Sequence, residues 1–211
     1  MTSERRHAFS TDLADLRRIG DPGCDYAVWI RRAPRAVKQF TRNCPVALLP
    51  NATFKSRVAG VYNAVLAAIP AGAGDGRAFA YDVAKLAAIY RYMTGAENLR
   101  IRIERVPNDG CRLFHVDRVK VRLVCIYRGA GTEWLPESNV DRDGLKKGKN
   151  DAIIRNPYGV RHLRPWAVAL QKGELASGVP DSGLVHRSPP VRGIGDTRLV
   201  VVIDDADVAY R

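Results

Sequence analysis

The sequence predicts a mainly β α+β fold, either a β-sandwich or a jelly-roll barrel, with helices packed outside it. Between residues 52 and 95, apolar residues recur at helical spacing. After Gly95 the period changes to two, as expected where alternate residues of a strand face opposite sides. Short apolar segments separated by Gly and Pro then continue towards the C-terminus, a pattern typical of sandwiches and barrels.

Two helices are predicted before the strands begin. The first covers residues 52–69, where the helical pattern stops at a proline. The second covers residues 82–95 and ends at a glycine suited to a helix C-cap. We therefore expect an N-terminal segment with flanking helices, residues 1–95, packed on a jelly-roll core, residues 96–211, in one integrated domain.

The strongest strand pattern is residues 99–106, whose first six positions alternate between apolar and charged residues. Further apolar segments bounded by turn residues predict the remaining strands. These segments are 115–129, 131–137, 166–174, 183–190 and 197–205.

The composition limits the classes of function. Against 34 Lys and Arg residues stand 22 Asp and Glu, giving a net charge of +12, which favours an anionic partner. Many of these cations alternate with apolar residues, which equally predicts a solvated sheet face, and no nucleic-acid-binding module accompanies them. No apolar stretch reaches the roughly 18 residues of a membrane span. The N-terminus has no apolar signal core, so a cytoplasmic protein is expected. The four cysteines of the chain form no CxxC pair, which predicts free thiols.

His115 and Asp117 form a candidate pair of metal ligands. Residues i and i+2 of a strand point to the same side, so the two side chains converge, and Tyr127 shares their side if the strand continues in register. A polar pair in an apolar row is costly unless it has a partner, and a divalent metal would satisfy both groups. The alternative is a structural hydrogen-bonded pair at a strand end.

A second histidine completes a possible triad. His186 follows His115 by 71 residues, at the end of a short apolar strand. Two histidines and one carboxylate with open positions form the facial triad that suits non-haem Fe(II). Arg198, at the start of the last strand, is a candidate clamp for a carboxylate, such as the distal carboxylate of 2-oxoglutarate. Its alternative is an ion pair with Asp196 or Asp204.

Cys111 is a possible fourth ligand. It lies four residues before His115, so in a continuous strand it would face the same side. One Cys, two His and one Asp would close the coordination shell, as structural Zn²⁺ prefers. Gly110 indicates a turn directly before Cys111, and a buried free cysteine is a common core residue. Both interpretations stay open.

Four further residues are candidates for binding a co-substrate or substrate. Tyr127 offers a hydroxyl to a co-substrate if it faces inward. Thr132 and Trp134 follow a Gly-rich turn and would line the mouth of a barrel, where the indole would stack on a planar substrate. Lys172 would reach into the same cavity. The structural alternatives are core packing for Trp134 and a solvated hairpin turn for Lys172.

The order HxD, His, Arg within residues 99–205 resembles the Fe(II)/2-oxoglutarate-dependent dioxygenase superfamily, whose fold is a double-stranded β-helix. Residues 109–137, 169–174 and 185–190, "DGCRLFHVDRVKVRLVCIYRGAGTEWLPE", "ALQKGE" and "VHRSPP", are more specifically similar to a bacterial family known as domain of unknown function 1826. That second likeness extends over most of the chain.

The resemblance to the dioxygenases implies a role for each matched residue. His115, Asp117 and His186 match the Fe(II) ligands, and Arg198 matches the arginine that holds 2-oxoglutarate. Arg198 is followed by Leu199 and Val200 rather than by the common R-x-S pattern, a departure that bears on 2-oxoglutarate use more than on metal binding.

Three functional hypotheses follow. The first is an Fe(II)/2-oxoglutarate-dependent oxygenase that hydroxylates a C–H bond of its substrate. The second is a non-catalytic, cupin-like protein that holds Zn²⁺ with the same ligands. The third and weaker hypothesis is a basic module that binds nucleic acid, for which salt-dependent binding would be the signature.

Overall fold

The computed structural model describes residues 6–107, 110–177, 182–190 and 197–208. These residues form a mixed α+β fold that consists mainly of sheet, with ten strands and five α-helices. The strands are β1 (Arg6–Ser10), β2 (Cys24–Trp29), β3 (Ala52–Ser56), β4 (Leu99–Val106), β5 (Val121–Arg128), β6 (Glu133–Trp134), β7 (Arg161–His162), β8 (Val168–Lys172), β9 (His186–Arg187) and β10 (Arg198–Asp205). The helices are α1 (Arg35–Asn43), α2 (Val58–Ala67), α3 (Arg77–Thr94), α4 (Arg142–Leu145) and α5 (Asn150–Ile153).

The strands form two sheets of unequal size. The main sheet has seven strands in the order β1-β2-β8-β5-β10-β4-β3, and the small sheet has three in the order β7-β6-β9. Every neighbouring pair is antiparallel except β1 and β2, which run parallel. Strand β10, which lies inside the main sheet, is apolar on both faces from Leu199 to Ile203, because helices cover one face and the small sheet covers part of the other.

The helices cover one face of the main sheet. Helix α3 buries one apolar stripe, including Phe79, Leu86 and Tyr90, against alternate residues of β4, β5 and β10. Each large apolar side chain that is fully buried in this way contributes about 1.5–3 kcal/mol. The hydroxyl of Tyr90 donates a hydrogen bond of 2.8 Å to the carbonyl of Val121 in β5, which fixes the helix against the sheet.

The small sheet lies on the opposite face. Val124 and Ile126 of β5 and Val200 of β10 pack there against Trp134 of β6 and Leu163. Consecutive residues of a strand therefore serve two separate cores, one under the helices and one between the sheets. Four charged residues in the middle strands of the main sheet line a cavity on this second face: Arg100, Arg102, Glu104 and Arg122.

The first predicted helix is wrong over its first turn. Residues 52–56 form the edge strand β3, paired with β4, and the helix begins only at Val58. Their alternating burial against the sheet outweighs the helical spacing that the same residues also satisfy. Helix α3 begins at Arg77, earlier than predicted, and ends as predicted at Gly95, whose φ of 76° is left-handed.

The N-terminal residues do more than cover a core. They supply β1, β2 and β3, all within the main sheet. Strands from both sides of the predicted boundary at residues 95 and 96 are paired, as in β3 with β4 and β2 with β8. In the part of the chain that the structure describes, no helix combines the length and the apolar character needed to cross a bilayer.

Candidate metal centre

The two histidines of the predicted triad are held side by side by their backbones. His115 forms an isolated antiparallel bridge with His186 of β9, and each residue donates its N–H to the other's carbonyl at 3.0 Å. Directly opposed residues in such a bridge have neighbouring side chains. The imidazole centroids accordingly lie 4.6 Å apart.

Asp117 reaches the same point through a close approach between two segments. After His115 the chain leaves the strand and runs against the end of β8, where Glu174 donates its N–H to the Asp117 carbonyl at 3.0 Å. A Cβ at Gly173 would lie 2.3 Å from that carbonyl oxygen. Only glycine at position 173 lets the two segments lie this close.

The three side chains place one ligand atom each within 4.8 Å of one another. The Nδ1 atom of His115 lies 2.9 Å from the Leu113 carbonyl, and that of His186 lies 3.1 Å from the Leu184 carbonyl. A carbonyl accepts only from a protonated nitrogen, so the neutral rings carry their protons on Nδ1. Both Nε2 atoms then face the convergent point with a lone pair, as is typical of histidine ligands, and Nε2 of His186 also lies 3.3 Å from the amide nitrogen of Gln171.

The carboxylate of Asp117 is held in its ionised form. Its Oδ1 atom lies 2.5 Å from Nη1 of Arg122, and its Oδ2 atom lies 3.2 Å from Nε2 of His186 and accepts from the Gln171 amide at 2.8 Å. Burial favours the neutral acid, but the two histidines and the Arg122 guanidinium outweigh it and hold the pKa of Asp117 well below its usual value. A metal would therefore meet a carboxylate at neutral pH.

The pKa of His115 is shifted in the opposite direction to that of Asp117. Burial lowers its pKa, but the hydrogen bond to Asp117, with that to the Leu113 carbonyl, outweighs burial and raises the pKa above its ordinary value. The metal-free site thus stabilises a positive charge where a divalent cation would bind.

Arg122 connects the triad to a second buried carboxylate. Its Nε and Nη2 atoms donate to Asp204 of β10 at 2.7 and 2.9 Å, while Nη1 points to Asp117. Asp204 has no exposed surface, so the guanidinium is held by a fixed partner. This fork orients Asp117 from behind, as outer-shell residues do in metal sites.

The triad opens into a cavity of about 670 Å³ between the two sheets, within the range of small-molecule sites. Arg198 lines the same cavity and is only 2% exposed. It donates to the Ala130 carbonyl and to the hydroxyls of Ser188 and Thr132 at 2.8, 3.2 and 3.2 Å. Arg198 and Asp204 lie at opposite ends of β10, opposite Val106 and Arg100 of β4, so the alternative of an ion pair between them is wrong. Asp196 lies outside the described residues.

The prediction that Tyr127 shares the face of His115 is wrong. His115 lies in an isolated bridge, and strand β5 begins only at Val121, so the alternation of β5 does not extend back to His115. Tyr127 lies under the helices, packed on Phe79, and donates to Asp82 at 2.6 Å. Burial raises the pKa of this phenol, and the residue does not line the cavity.

Two of the predicted substrate contacts are also elsewhere. Trp134 packs against His7 and Tyr26, with ring centroids 4.7 and 5.1 Å away. This is the core packing given above as the alternative to substrate stacking. Lys172 follows Gln171 in β8 and points away from the cavity, donating to the Asp21 carbonyl at 2.9 Å.

Thr132 and Cys111 line the cavity, but neither is placed as a ligand. Thr132 holds Arg198. Cys111 is exposed, and among the described residues the convergent group contains the three triad residues without it. The cluster therefore leaves coordination positions open.

Sequence reasoning missed Gln171 and Arg122. Gln171 is a buried amide within the apolar strand "VALQK", and an isolated polar residue in such a strand signals a buried partner. Arg122 looked like one of many cations alternating with apolar residues. Only the strand register, which places it opposite Asp204, distinguishes it.

The fold and the site together define a mixed α+β protein with a candidate centre of two histidines and one carboxylate. The chain belongs to the family described as "Protein of unknown function (DUF1826)", whose model matches residues 10–204. This agrees with the resemblance carried by the segments around His115 and His186. No curated protein matches the sequence.

Solved structures resemble the chain at low identity. AviO1 from Streptomyces viridochromogenes is 12% identical with a TM-score of 0.47, covering 96% of this chain and 98% of its own. Dioxygenase for auxin oxidation 1 from Arabidopsis thaliana, in a 2-oxoglutarate complex, is 12% identical with a TM-score of 0.44, covering 94% and 91%. Neurospora crassa T7H, in complex with α-ketoglutarate, is 12% identical with a TM-score of 0.46, covering 92% and 78%. At these TM-scores the function has to be argued from the site itself.

Proposed function

We propose that this protein is an Fe(II)/2-oxoglutarate-dependent oxygenase that hydroxylates a substrate bound between its two sheets. The observation that carries the proposal is the convergence of His115, Asp117 and His186 at a cavity that a buried arginine also lines. In this proposal the two sheets correspond to the two halves of a double-stranded β-helix.

The donor set fits Fe(II). Two neutral imidazoles and one carboxylate that leave open positions are the ligands of non-haem Fe(II) oxygenases. Both histidines present Nε2, because their Nδ1 atoms bond to carbonyl groups. Bound iron, with 2-oxoglutarate and O₂, would supply the oxidising chemistry, and the chain would supply position and shelter.

Arg198 fits the distal carboxylate of 2-oxoglutarate. A guanidinium binds a carboxylate through two parallel hydrogen bonds, and burial strengthens them by excluding water. The hydroxyls of Thr132 and Ser188 fix the guanidinium plane, and Ser188 lines the cavity as well.

The zinc-binding alternative requires a closed shell. Cys111 is the fourth ligand that it needs, and the convergent group of described residues does not contain that thiol. Since a closed site cannot admit a co-substrate, the open triad favours the oxygenase.

The test is 2-oxoglutarate binding to the anaerobic Fe(II) protein. We expect a visible metal-to-ligand charge-transfer band in the wild type. Arg198→Gln is expected to need at least about tenfold more 2-oxoglutarate for the same band, because it loses a charge-assisted bidentate contact. His115→Ala/Asp117→Ala is expected to show no band.

Lys172→Gln serves as the control, since it removes a cation that points away from the cavity, and it is expected to behave as the wild type does. Iron binding without a 2-oxoglutarate band would overturn the co-substrate assignment. If the protein instead bound one zinc ion tightly and did not respond to 2-oxoglutarate, the zinc-binding function would be favoured over the oxygenase.

A further inference from the structure

A row of charged side chains runs from the triad across the floor of the cavity. In the register of the main sheet, Asp204 lies opposite Arg122 on one side and Arg100 on the other, and Arg100 lies opposite Lys55. Arg102 follows Arg100 by two residues, so both point to the cavity side, while the alternate residues of β4 are buried under the helices. Arg100, Arg102 and Arg122 line the cavity, and Lys55 is exposed at the sheet edge.

Cations exceed carboxylates in this row. Arg122 occupies both oxygens of Asp204, and Arg102 lies 3.6 Å from Asp204 and 2.9 Å from Glu104. With the candidate ligand Asp117 included, the described residues of the row comprise four cations and three carboxylates: Lys55, Arg100, Arg102 and Arg122 against Glu104, Asp117 and Asp204. An excess of positive charge on the wall of a cleft attracts anions and raises their local concentration.

Arg100 and Arg102 lie at a fixed distance from Arg122, the residue that contacts Asp117 of the triad. Strand β4 is separated from β5 by β10 alone, so Arg100 and Arg102 stand two strand spacings, roughly 10 Å, from the strand that carries Arg122. Among the described residues, the apolar contacts of the small sheet with the main sheet are with β2, β5, β8 and β10 rather than with β4. A molecule that reaches the triad from this side passes over the two arginines.

We propose that Arg100 and Arg102 bind an oxyanion of the substrate, either a carboxylate or a phosphate, with Lys55 adding to the attraction at the rim. The anionic group is held several bonds from the carbon presented to the metal. The assignment to a substrate rests on the proposed oxygenase function, whereas the oxyanion site itself is independent of any metal.

The test is calorimetric titration of the metal-free protein with inorganic phosphate and, separately, with acetate. We expect wild type to bind at least one of them, and Arg100→Gln/Arg102→Gln to lose at least about tenfold in affinity, because two charge-assisted contacts are removed. Phosphate binding more tightly than acetate indicates a phosphorylated substrate, and acetate binding as well as phosphate indicates a carboxylic acid. Lys55→Gln is expected to lose about twofold to threefold.

The matched control is Arg77→Gln/Arg91→Gln, which removes two exposed cations of α3 and changes the net charge equally. It is expected to bind as the wild type does. Arg100→Lys/Arg102→Lys keeps the charge but loses the planar fork of arginine, so it is expected to retain more affinity than the double Gln variant and less than the wild type. Equal thermal unfolding midpoints show that a lost affinity is not lost structure.

The proposal is overturned if neither anion binds the wild type, or if Arg100→Gln/Arg102→Gln binds like the wild type. It is also overturned if only Arg198→Gln loses affinity, since the anion would then occupy the co-substrate position. A protein that binds the anion through Arg100 and Arg102 but gives no band with Fe(II) and 2-oxoglutarate keeps the oxyanion site and loses the oxygenase function.

Discussion

The two faces of the main sheet each carry a buried cluster of charged groups, and the clusters differ in what they leave available. Under the helices, Arg31 meets both oxygens of Asp82 at 2.7 Å, and Tyr127 donates to the same carboxylate at 2.6 Å. The side chains of this pair are 5% and 7% exposed. Between the sheets, Asp117 is held as firmly, but it lies with two imidazoles at an open cavity.

The difference separates a structural role from a functional one. In the closed cluster, Arg31 and Asp82 neutralise each other, and neither residue lines the cavity of the triad. This cluster therefore serves the packing of α3 on the sheet. In the open cluster, two Nε2 lone pairs and a carboxylate converge where a ligand can enter. Burial and perturbed pKa values occur in both, and only the open cluster has convergent ligand atoms and access.

The largest expected effect concerns the closed cluster. Asp82→Asn leaves Arg31 as a buried charge without its counter-ion, which typically costs about 3–5 kcal/mol and lowers the thermal unfolding midpoint on the order of 10 °C. Calorimetry measures this change, with Asp75→Asn in an exposed pair as the control with no expected change. Iron affinity of the folded variant is expected to be unchanged. A stable Asp82→Asn protein would contradict the structural role.

Next in size is the loss of a ligand from the open cluster. Asp117→Ala removes the only carboxylate of the convergent group of described residues and is expected to lower Fe(II) affinity by more than about 100-fold, beyond the usual cost of an outer-shell change. Anaerobic equilibrium titration measures it, and Asp143→Ala, an exposed carboxylate of α4, is the control. Retained affinity in Asp117→Ala would place the metal elsewhere.

A smaller effect is expected from an outer contact. Gln171→Leu removes the amide that donates to Asp117 at 2.8 Å and is expected to lower Fe(II) affinity about tenfold. Lys172→Leu alters the adjacent residue, which points away from the cavity, and is expected to leave the affinity unchanged. The two variants behaving alike would argue against positioning by Gln171.

The smallest effect is a pH dependence of the metal-free protein. The folded pKa of His115 is raised above its unfolded value, so its stabilising contribution is complete below about pH 6.5 and is lost as the pH rises through the folded pKa. Relative to His115→Ala, the wild type is expected to lose about 1–2 °C in unfolding midpoint over that rise. His162→Ala, at an exposed histidine, is the control and keeps the wild-type slope. If the unfolding midpoints of the wild type and of His115→Ala changed equally with pH, the ion pair of His115 with Asp117 would be contradicted.

The sequence predicted the triad because its signal is local. His115 and Asp117 are two residues apart, and His186 belongs to a short strand recognisable from its apolar residues. The alternating strand 99–106 was also predicted in full and corresponds to β4. These features depend on the spacing of neighbouring residues, which sequence patterns report directly.

What escaped prediction depends on long-range register. The side of the sheet that Tyr127 faces is set by the interruption between His115 and Val121, which nothing in the apolar run reveals. Arg122 and Arg100 lie opposite Asp204, which is about 80 and 100 residues later in the chain. Their position in the site therefore follows from strand pairing, which the sequence pattern does not reveal. The division of the chain into residues 1–95 and 96–211 stays a prediction.

The central claim is that the open cluster is a metal site, and metal stoichiometry tests it most directly. Metal-free wild type, His186→Ala and Asp82→Asn are each titrated anaerobically with Fe(II). The account predicts one equivalent bound by the wild type and by folded Asp82→Asn, and none with comparable affinity by His186→Ala. Failure of the wild type to bind, or binding that is indifferent to His186, would show that the triad is a structural cluster like its counterpart beneath the helices.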